Sequence, residues 1–316
     1  RIADGSSKTT AKLLRQLSRE RMGIEFDKAV ANVVQDGAAV SVASELGYAG
    51  EVCDMHTINK ISSSAIGDLT RSKNKKVVNP FSEGQAVMKK AHDTAKHFTF
   101  PSRLGELHKL CPEVSAAKVR LQLDLNGTRV AARHDLLKSV LRMNRAIRVY
   151  QVQNKVSWHL SDEDWEQIAE FEAILRITDR AEKLVQHEKL FLGACAAALK
   201  IDMIKQLRAS EFSVIDKDTV TESPVLPRVS RHEEDLTSVG STCLNRARLE
   251  AERRYCGNTE DFIQNLDYVP SDRELIATLL DFRTLNCKHL ASHYRDKAKV
   301  LLQKLYVDYA TVAFHH

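Results

Sequence analysis

The sequence predicts a mostly helical protein with a small α/β part near its start. Three observations carry that expectation. Short β-branched or apolar runs that suit strands, DKAVANVVQ at 27–35 and GEVCDM at 50–55, both fall within the first ~65 residues. From residue 81 onward, apolar residues recur at the 3.6-residue period of a helix. Only 12 glycines and 6 prolines punctuate the 316 residues, and this economy in turn formers favours long helices.

Taken in order, TTAKLLRQLSRERMGI (9–24) places Ala11, Leu14, Leu17 and Met22 near one face, with Thr9 or Thr10 as the N-cap. DKAVANVVQ then reads as a strand buried on both faces. GAAVSVASELG (37–47) reads as a helix stopped by Gly47. GEVCDM is the second strand, and HTINKISSSAIGDL continues as a helix. Helical spacing follows over 81–98, 103–111, 114–122, 131–152, 161–188 and 189–210. Within 161–188, Trp165, Ile168, Phe171, Ile174 (or Leu175) and Ala181 form one stripe. Ser161 is its N-cap, and Asp162 and Asp164 in the first turn suit the helix dipole. Residues 211–240 break the periodicity with Pro224, Pro227 and clustered polar residues, and read as an exposed linker or loop. Helices resume at about 241–256, 259–266, 271–280 and 290–310. Two domains are expected: an α/β part at 1–66 and a helical region at 67–316 with its loop at about 211–240.

Composition narrows the function classes only modestly. A hydrophobic share of 43% and a charged share of 28% are those of a folded chain. The formal charge of +5 is compatible with nucleic acid without requiring it. Cysteines 53, 111, 195, 243, 256 and 287 are scattered, without a dense disulfide framework, and read as reduced intracellular thiols. The longest apolar run, LFLGACAAALKI at 190–201, falls short of the ~20 residues of a membrane span, so no membrane partner is expected.

Several residues invite a chemical reading. Asp36 follows a buried strand and opens a helix; it either holds a divalent metal ion or caps the helix. Cys53-x-x-His56 is half of a zinc set, mirrored by His108-x-x-Cys111, against the alternative of a buried thiol and a helix-supporting histidine. Along 128–150, Arg129 and Arg133 share one face, and Lys138, Arg142 and Arg145 another, with Arg148 beyond. That run is either a solvated charged surface or a stripe that tracks phosphates. No G-x-S-x-G elbow, Walker A loop or G-x-G-x-x-G fingerprint is present.

In order along the chain, these segments resemble the hAT superfamily of DNA transposases. KAVANVVQDGAAVSVASELG followed by VCDMHTINKI is similar to the family's strand ending in Asp, small-residue helix and Cys-x-x-His-x-Leu-Asn motif, with Ile58 where Leu is usual. LQLDLNGTRVAARHDLLKSVLRMNRAI (121–147) resembles the Asp–x–Thr-Arg-Trp segment; Thr128 and Arg129 match, and Val130 replaces the tryptophan. DEDWEQIAEFEAILRITDRAEKL (162–184) is similar to the Asp-Trp helix. ELIATLLDFRTLNCKHL (274–290) looks like the Leu-Leu-Asp-Pro-Arg segment, with Phe282 for Pro.

The resemblance implies a partial ribonuclease H-like core interrupted by a large all-helical insertion domain. It also implies cut-and-paste transposition with Mg2+ or Mn2+ held by two Asp and a Glu. Asp36 would match the second acid; Cys53 and His56 would lie beside the active site, and Arg129 and Arg133 near DNA. The first Asp and the Glu match no residue of this chain, and Asp4 sits in RIADGSS without a strand. Lone Asp36 could hold metal only if partner carboxylates were supplied, so a catalytically inactive fragment or domesticated derivative is expected, with no cofactor of its own. Weak, non-specific DNA binding, a nuclear location and homo-oligomers of the intact family are implied. The alternative is a helical protein-interaction scaffold with no nucleic-acid role.

Overall fold

The computed structural model describes residues 7–23, 34–35, 45, 51–68, 71–73, 76–78, 80–110, 121–123, 130–154, 156, 158–185, 196–217, 225–256, 268–280 and 290–313. The protein is mostly helical with small β pairings. It divides into two compact units, Arg1–Thr57 and Ile58–His316, so the first unit ends at Thr57 rather than at residue 66.

In the first unit, α1 (Ser7–Met22) starts ahead of the two threonines read as its caps. It ends where Gly23, at φ +66°, donates its N–H to the Arg19 carbonyl at 3.2 Å. A left-handed residue at this point suits glycine, which has no Cβ to clash. Strands β1 (Val34–Gln35) and β2 (Glu51–Val52) pair in parallel, Val34 opposite Glu51 and Gln35 opposite Val52. Parallel neighbours need a crossover connection rather than a tight turn. Within that connection Glu45 is helical, while the remainder of the helix expected at 37–47 lies outside the described residues. The turn that opens α2 (Asp54–Ala65) completes the unit.

The second unit is built around one long helix. Its described elements are β3 (Arg71–Lys73) and β4 (Lys76–Val78), an antiparallel pair, then α3 (Ser82–His97), α4 (Pro101–Leu110), α5 (Val130–Arg142) and α6 (Asn144–Asn154). There follow α7 (Asp162–Val185), α8 (Ala196–Leu207), β5 (Glu211–Ile215), β6 (Arg228–His232) and a 3-10 turn at Glu233–Asp235. Last come α9 (Ser238–Tyr255), α10 (Asp272–Leu280) and α11 (Ser292–Ala313).

Helix α7 packs against α5, α8, β5, α9 and α3. The apolar stripe read from the sequence explains why: Trp165, Ile168, Phe171, Ile174 and Leu175 are all buried. Each large apolar side chain removed from water contributes about 1.5–3 kcal/mol. Its start is a reciprocal cap. The Asp164 N–H donates to Ser161 Oγ at 3.1 Å, and Asp164 Oδ2 accepts the Ser161 N–H at 2.9 Å. A smaller apolar cluster joins α8, α10 and α11 through Ala197, Ile204, Leu275 and Ala298, with Tyr268 and Leu290.

Several expectations are corrected. The region after residue 66 is not all-helical, since it carries the β3–β4 and β5–β6 pairs. The segment 211–240 is not simply an exposed loop. β5 and β6 pair antiparallel from Glu211–His232 to Ile215–Arg228, and Phe212, Val214 and Ile215 bury against the core. The helix expected over 131–152 is two helices broken at buried Met143. There Asn144 turns inward, donating from Nδ2 to the Lys217 carbonyl at 2.7 Å and accepting from Arg148 Nε at 2.6 Å. Residues 121–123 are not helical, and the rest of the helix expected at 114–122 lies outside the described residues, as does 259–266. Among the described residues no helix is long and apolar enough to cross a membrane.

Candidate functional site

The residues singled out in the sequence do not gather into one site. Asp36 and Arg129 lie outside the described residues; Asp36 is the next residue after β1. Cys53 is a half-buried free thiol immediately before α2, and its carbonyl accepts the Thr57 N–H at 3.1 Å. His56, in the first turn of α2, is half-buried, and its Nδ1 has no hydrogen-bond partner among the described residues. The mirrored zinc half-set cannot be assembled from what is described, because Cys111 lies outside it. Among the described residues, which do not include Asp36, no group of three or more His, Cys, Asp or Glu is arranged to bind a metal ion.

Arg133 is not on a phosphate-facing surface. Its side chain is 3% exposed, with a guanidinium nitrogen 2.7 Å from Asp68 Oδ2 and another donating to Ser63 Oγ at 2.9 Å. It ties α5 to the end of α2, and reaching DNA would mean breaking both bonds. Arg148 is similarly committed: it pairs with Asp162, donates to Asn144, and lies over the Trp165 ring at 5.4 Å from the centroid. Lys138 and Arg142 are half-buried on α5, and Arg145 is exposed on α6, beyond the Met143 break. The basic run 128–150 therefore does not form one continuous phosphate-tracking stripe among its described residues.

What the structure does assemble is a buried ionic cluster on α7. Glu172 is wholly buried and accepts from His134 Nε2 on α5 at 2.9 Å. Arg228, at the start of β6, holds both oxygens of the same carboxylate, Nη1 to Oε2 at 3.0 Å and Nη2 to Oε1 at 2.6 Å. One turn-pair further along α7, Asp179 Oδ2 stands 3.1 Å from His134 Nδ1, near enough for an ion pair but off the line of a good hydrogen bond. Lys183 donates to Asp179 from Nζ at 2.8 Å. A single imidazole thus bridges two acids of α7, while Arg228 brings the β5–β6 hairpin onto the same helix.

The electrostatics follow from this geometry. Burial alone would push the His134 pKa down; the contacts with Asp179 and Glu172 outweigh it and hold the imidazole above its ordinary value. Burial would raise Glu172, but His134 and Arg228 hold its carboxyl below the usual range. Asp179 is lowered in the same way by His134 and Lys183. A neighbouring acid behaves oppositely. Glu170 is wholly buried, and burial pushes its pKa up, although its oxygens accept the Thr237 N–H at 2.9 Å and the Thr237 hydroxyl at 2.5 Å. Beside it, burial pushes the Cys243 thiol far up, leaving a thiol that does not ionise near neutral pH.

A histidine flanked by acids is also the geometry of a general base with its orienting group. Here both imidazole nitrogens face carboxylates, the side chain is 6% exposed, and among the described residues no hydroxyl or thiol is bonded to it. The cluster is a clamp joining α5, α7 and the hairpin. Sequence reading missed it because Glu172 and its partners His134 and Arg228 are 38 and 56 positions apart. One local signal was present: Glu172 and Asp179 fall seven residues apart, on one face of a helix whose flanks are also apolar.

No family model, curated protein or solved structure matches this chain.

Proposed function

We propose that the chain is a fragment or domesticated derivative of a hAT-like DNA transposase. On this reading it combines a partial ribonuclease H-like core with a helical insertion, acts in the nucleus, does not cut or join DNA by itself, and binds DNA without sequence preference. The observation that carries the reading is the parallel pairing of β1 with β2, with Asp36 directly after β1 and VCDMHTINKI starting on β2. The succession of motif-like segments through a mostly helical remainder supports it further. The resemblance assigns one metal-binding carboxylate to the chain, Asp36. One carboxylate cannot neutralise and orient two divalent ions against a phosphate, hence the proposed inactivity. Self-association, as in the intact family, belongs to the same proposal.

A second reading is favoured by the commitment of Arg133 and Arg148 to internal ion pairs. It is a helical protein-interaction scaffold with no nucleic-acid role.

An electrophoretic mobility shift on a short duplex separates the two. Retardation at ~50 mM salt that fades as salt rises is expected, because phosphate binding releases counterions. Absence of retardation at that salt would sink the DNA reading and leave the scaffold. Incubation of the same duplex with Mg2+ or Mn2+ should give no nicking. Nicking that disappears in Asp36→Asn would overturn the proposed inactivity.

A further inference from the structure

We infer that α1 is the surface that contacts nucleic-acid phosphates. The inference rests on the DNA reading above and relocates the contact away from residues 128–150. Lys8, Lys12, Arg15 and Arg19 recur at spacings of four, three and four residues on a 16-residue helix. At 3.6 residues per turn they fall within roughly 60° of arc, and at 1.5 Å per residue they span about 16 Å of the axis. Lys8, Lys12 and Arg19 are exposed and Arg15 is half-buried. Arg15 and Arg19 also have interactions of their own. A guanidinium carries five N–H donors and can serve a phosphate beside another partner.

The single acid of α1, Glu20, lies to one side of the stripe and accepts from Gln16 Nε2 at 2.7 Å. Glu20 is thus engaged by Gln16 and turned away from Lys8 and Lys12. Lys8 and Lys12 are exposed, whereas Arg133 and Arg148 on α5 and α6 are held by Asp68 and Asp162.

A basic helix also suits an anionic bilayer, but α1 lacks the other half of that design. A membrane-surface helix buries a bulky apolar face, commonly with Trp or Phe. Here no aromatic residue is present, Ala11 is buried, Leu13 and Leu17 are half-buried, and the exposed Leu14 and Met22 stand eight residues apart rather than forming one broad apolar face. A regularly charged strand of DNA is the partner this face fits.

The test compares the full chain with Lys8→Gln/Lys12→Gln/Arg19→Gln, which alters only exposed positions, by fluorescence-anisotropy titration of a labelled duplex across salt. Each lost phosphate contact flattens the slope of log Kobs against log salt by about 0.9, so three flatten it by about 3. From 50 to 200 mM salt the unaltered chain should then lose roughly 40-fold more affinity than the triple variant, the slope difference applied over that interval. A charge-keeping variant, Lys8→Arg/Lys12→Arg/Arg19→Lys, should restore the full slope. An unchanged circular dichroism melt confirms that the stripe, rather than the fold, was altered. Equal slopes in a chain that binds DNA would overturn the α1 assignment and leave the DNA reading standing. A chain that binds no DNA at low salt overturns both. Capture by phosphatidylserine vesicles without DNA binding would assign the stripe to a membrane surface instead.

Discussion

Replacing Glu172 with Gln should be among the most damaging conservative changes in the second unit. The carboxylate is wholly buried, bonded to His134 at 2.9 Å, and held at both oxygens by Arg228 at 2.6 and 3.0 Å. An amide of the same shape leaves the cavity filled but removes the negative charge that both cations face. Breaking a buried ion pair by removing one partner costs about 3–5 kcal/mol. Two features draw this case to the lower end: His134 can release its proton, and Arg228 is 20% exposed and also donates to the Ser213 carbonyl. The expected loss is about 3 kcal/mol. At about 2 °C per kcal/mol for a unit of this size, the midpoint should fall by about 6 °C in a thermal melt followed by circular dichroism. In a double-mutant cycle with His134→Ala, the second change should cost at least about 1 kcal/mol less than it does alone, because both remove the same bond. A loss under about 1 kcal/mol, or strict additivity, would refute the clamp.

Further outcomes follow from the same structure. The His134 pKa is raised on folding, so its contribution is complete below the ordinary value near 6.5 and is lost as pH rises through the raised one. The lowered Glu172 and Asp179 contribute above the ordinary carboxyl range near 4 and lose that contribution as pH falls through their lowered values. Melts from pH 4 to 9 should show an alkaline decline that His134→Gln flattens; an identical decline in the variant would contradict the assignment. Gly240→Ala would set a Cβ 2.8 Å from Glu170 Cδ and closer still to its oxygen, so about 2 kcal/mol should be lost in denaturant unfolding. Gly105→Ala, with open space around it in α4, should gain up to about 1 kcal/mol; similar effects at the two glycines would undercut the packing argument. Arg133→Gln should cost about 2 kcal/mol of stability through its bonds to Asp68 and Ser63, and leave the salt slope of DNA binding unchanged. A shallower slope in that variant would return the phosphate contact to α5.

How much of this was legible in the sequence depends on how local each cause is. The stripe of α7 and its Ser161 cap were readable because residues three, four and seven apart decide both. The acids of the same helix misled, since charge on a helix normally marks its solvent side; Glu170 and Glu172 are buried because Thr237, His134 and Arg228 arrive from distant segments. Strand β5, EFSVI, does carry a near-alternating pattern, with Phe212 and Val214 inward. Nearby prolines and polar residues outweighed it in the reading of 211–240 as a loop. Pro227 is part of that pairing, its carbonyl accepting the Asp216 N–H at 3.0 Å. The break at Met143 carries no Gly or Pro, and the bond that accompanies it, from Asn144 to the Lys217 carbonyl, is again remote. Of the site residues, Arg133 was misread for the same reason: a basic residue on a predicted helix looks solvated until Asp68 is placed beside it.

The central claim, that DNA phosphates lie along α1 while Arg133 and Arg148 hold the fold together, is tested most directly by lysine footprinting. The full chain is acetylated at low salt with and without a duplex, and each lysine is quantified by mass spectrometry. The account predicts protection at Lys8 and Lys12, with no change at half-buried Lys138 or at Lys183, whose side chain is 53% exposed. Protection at Lys138 with Lys8 and Lys12 still reactive would contradict it.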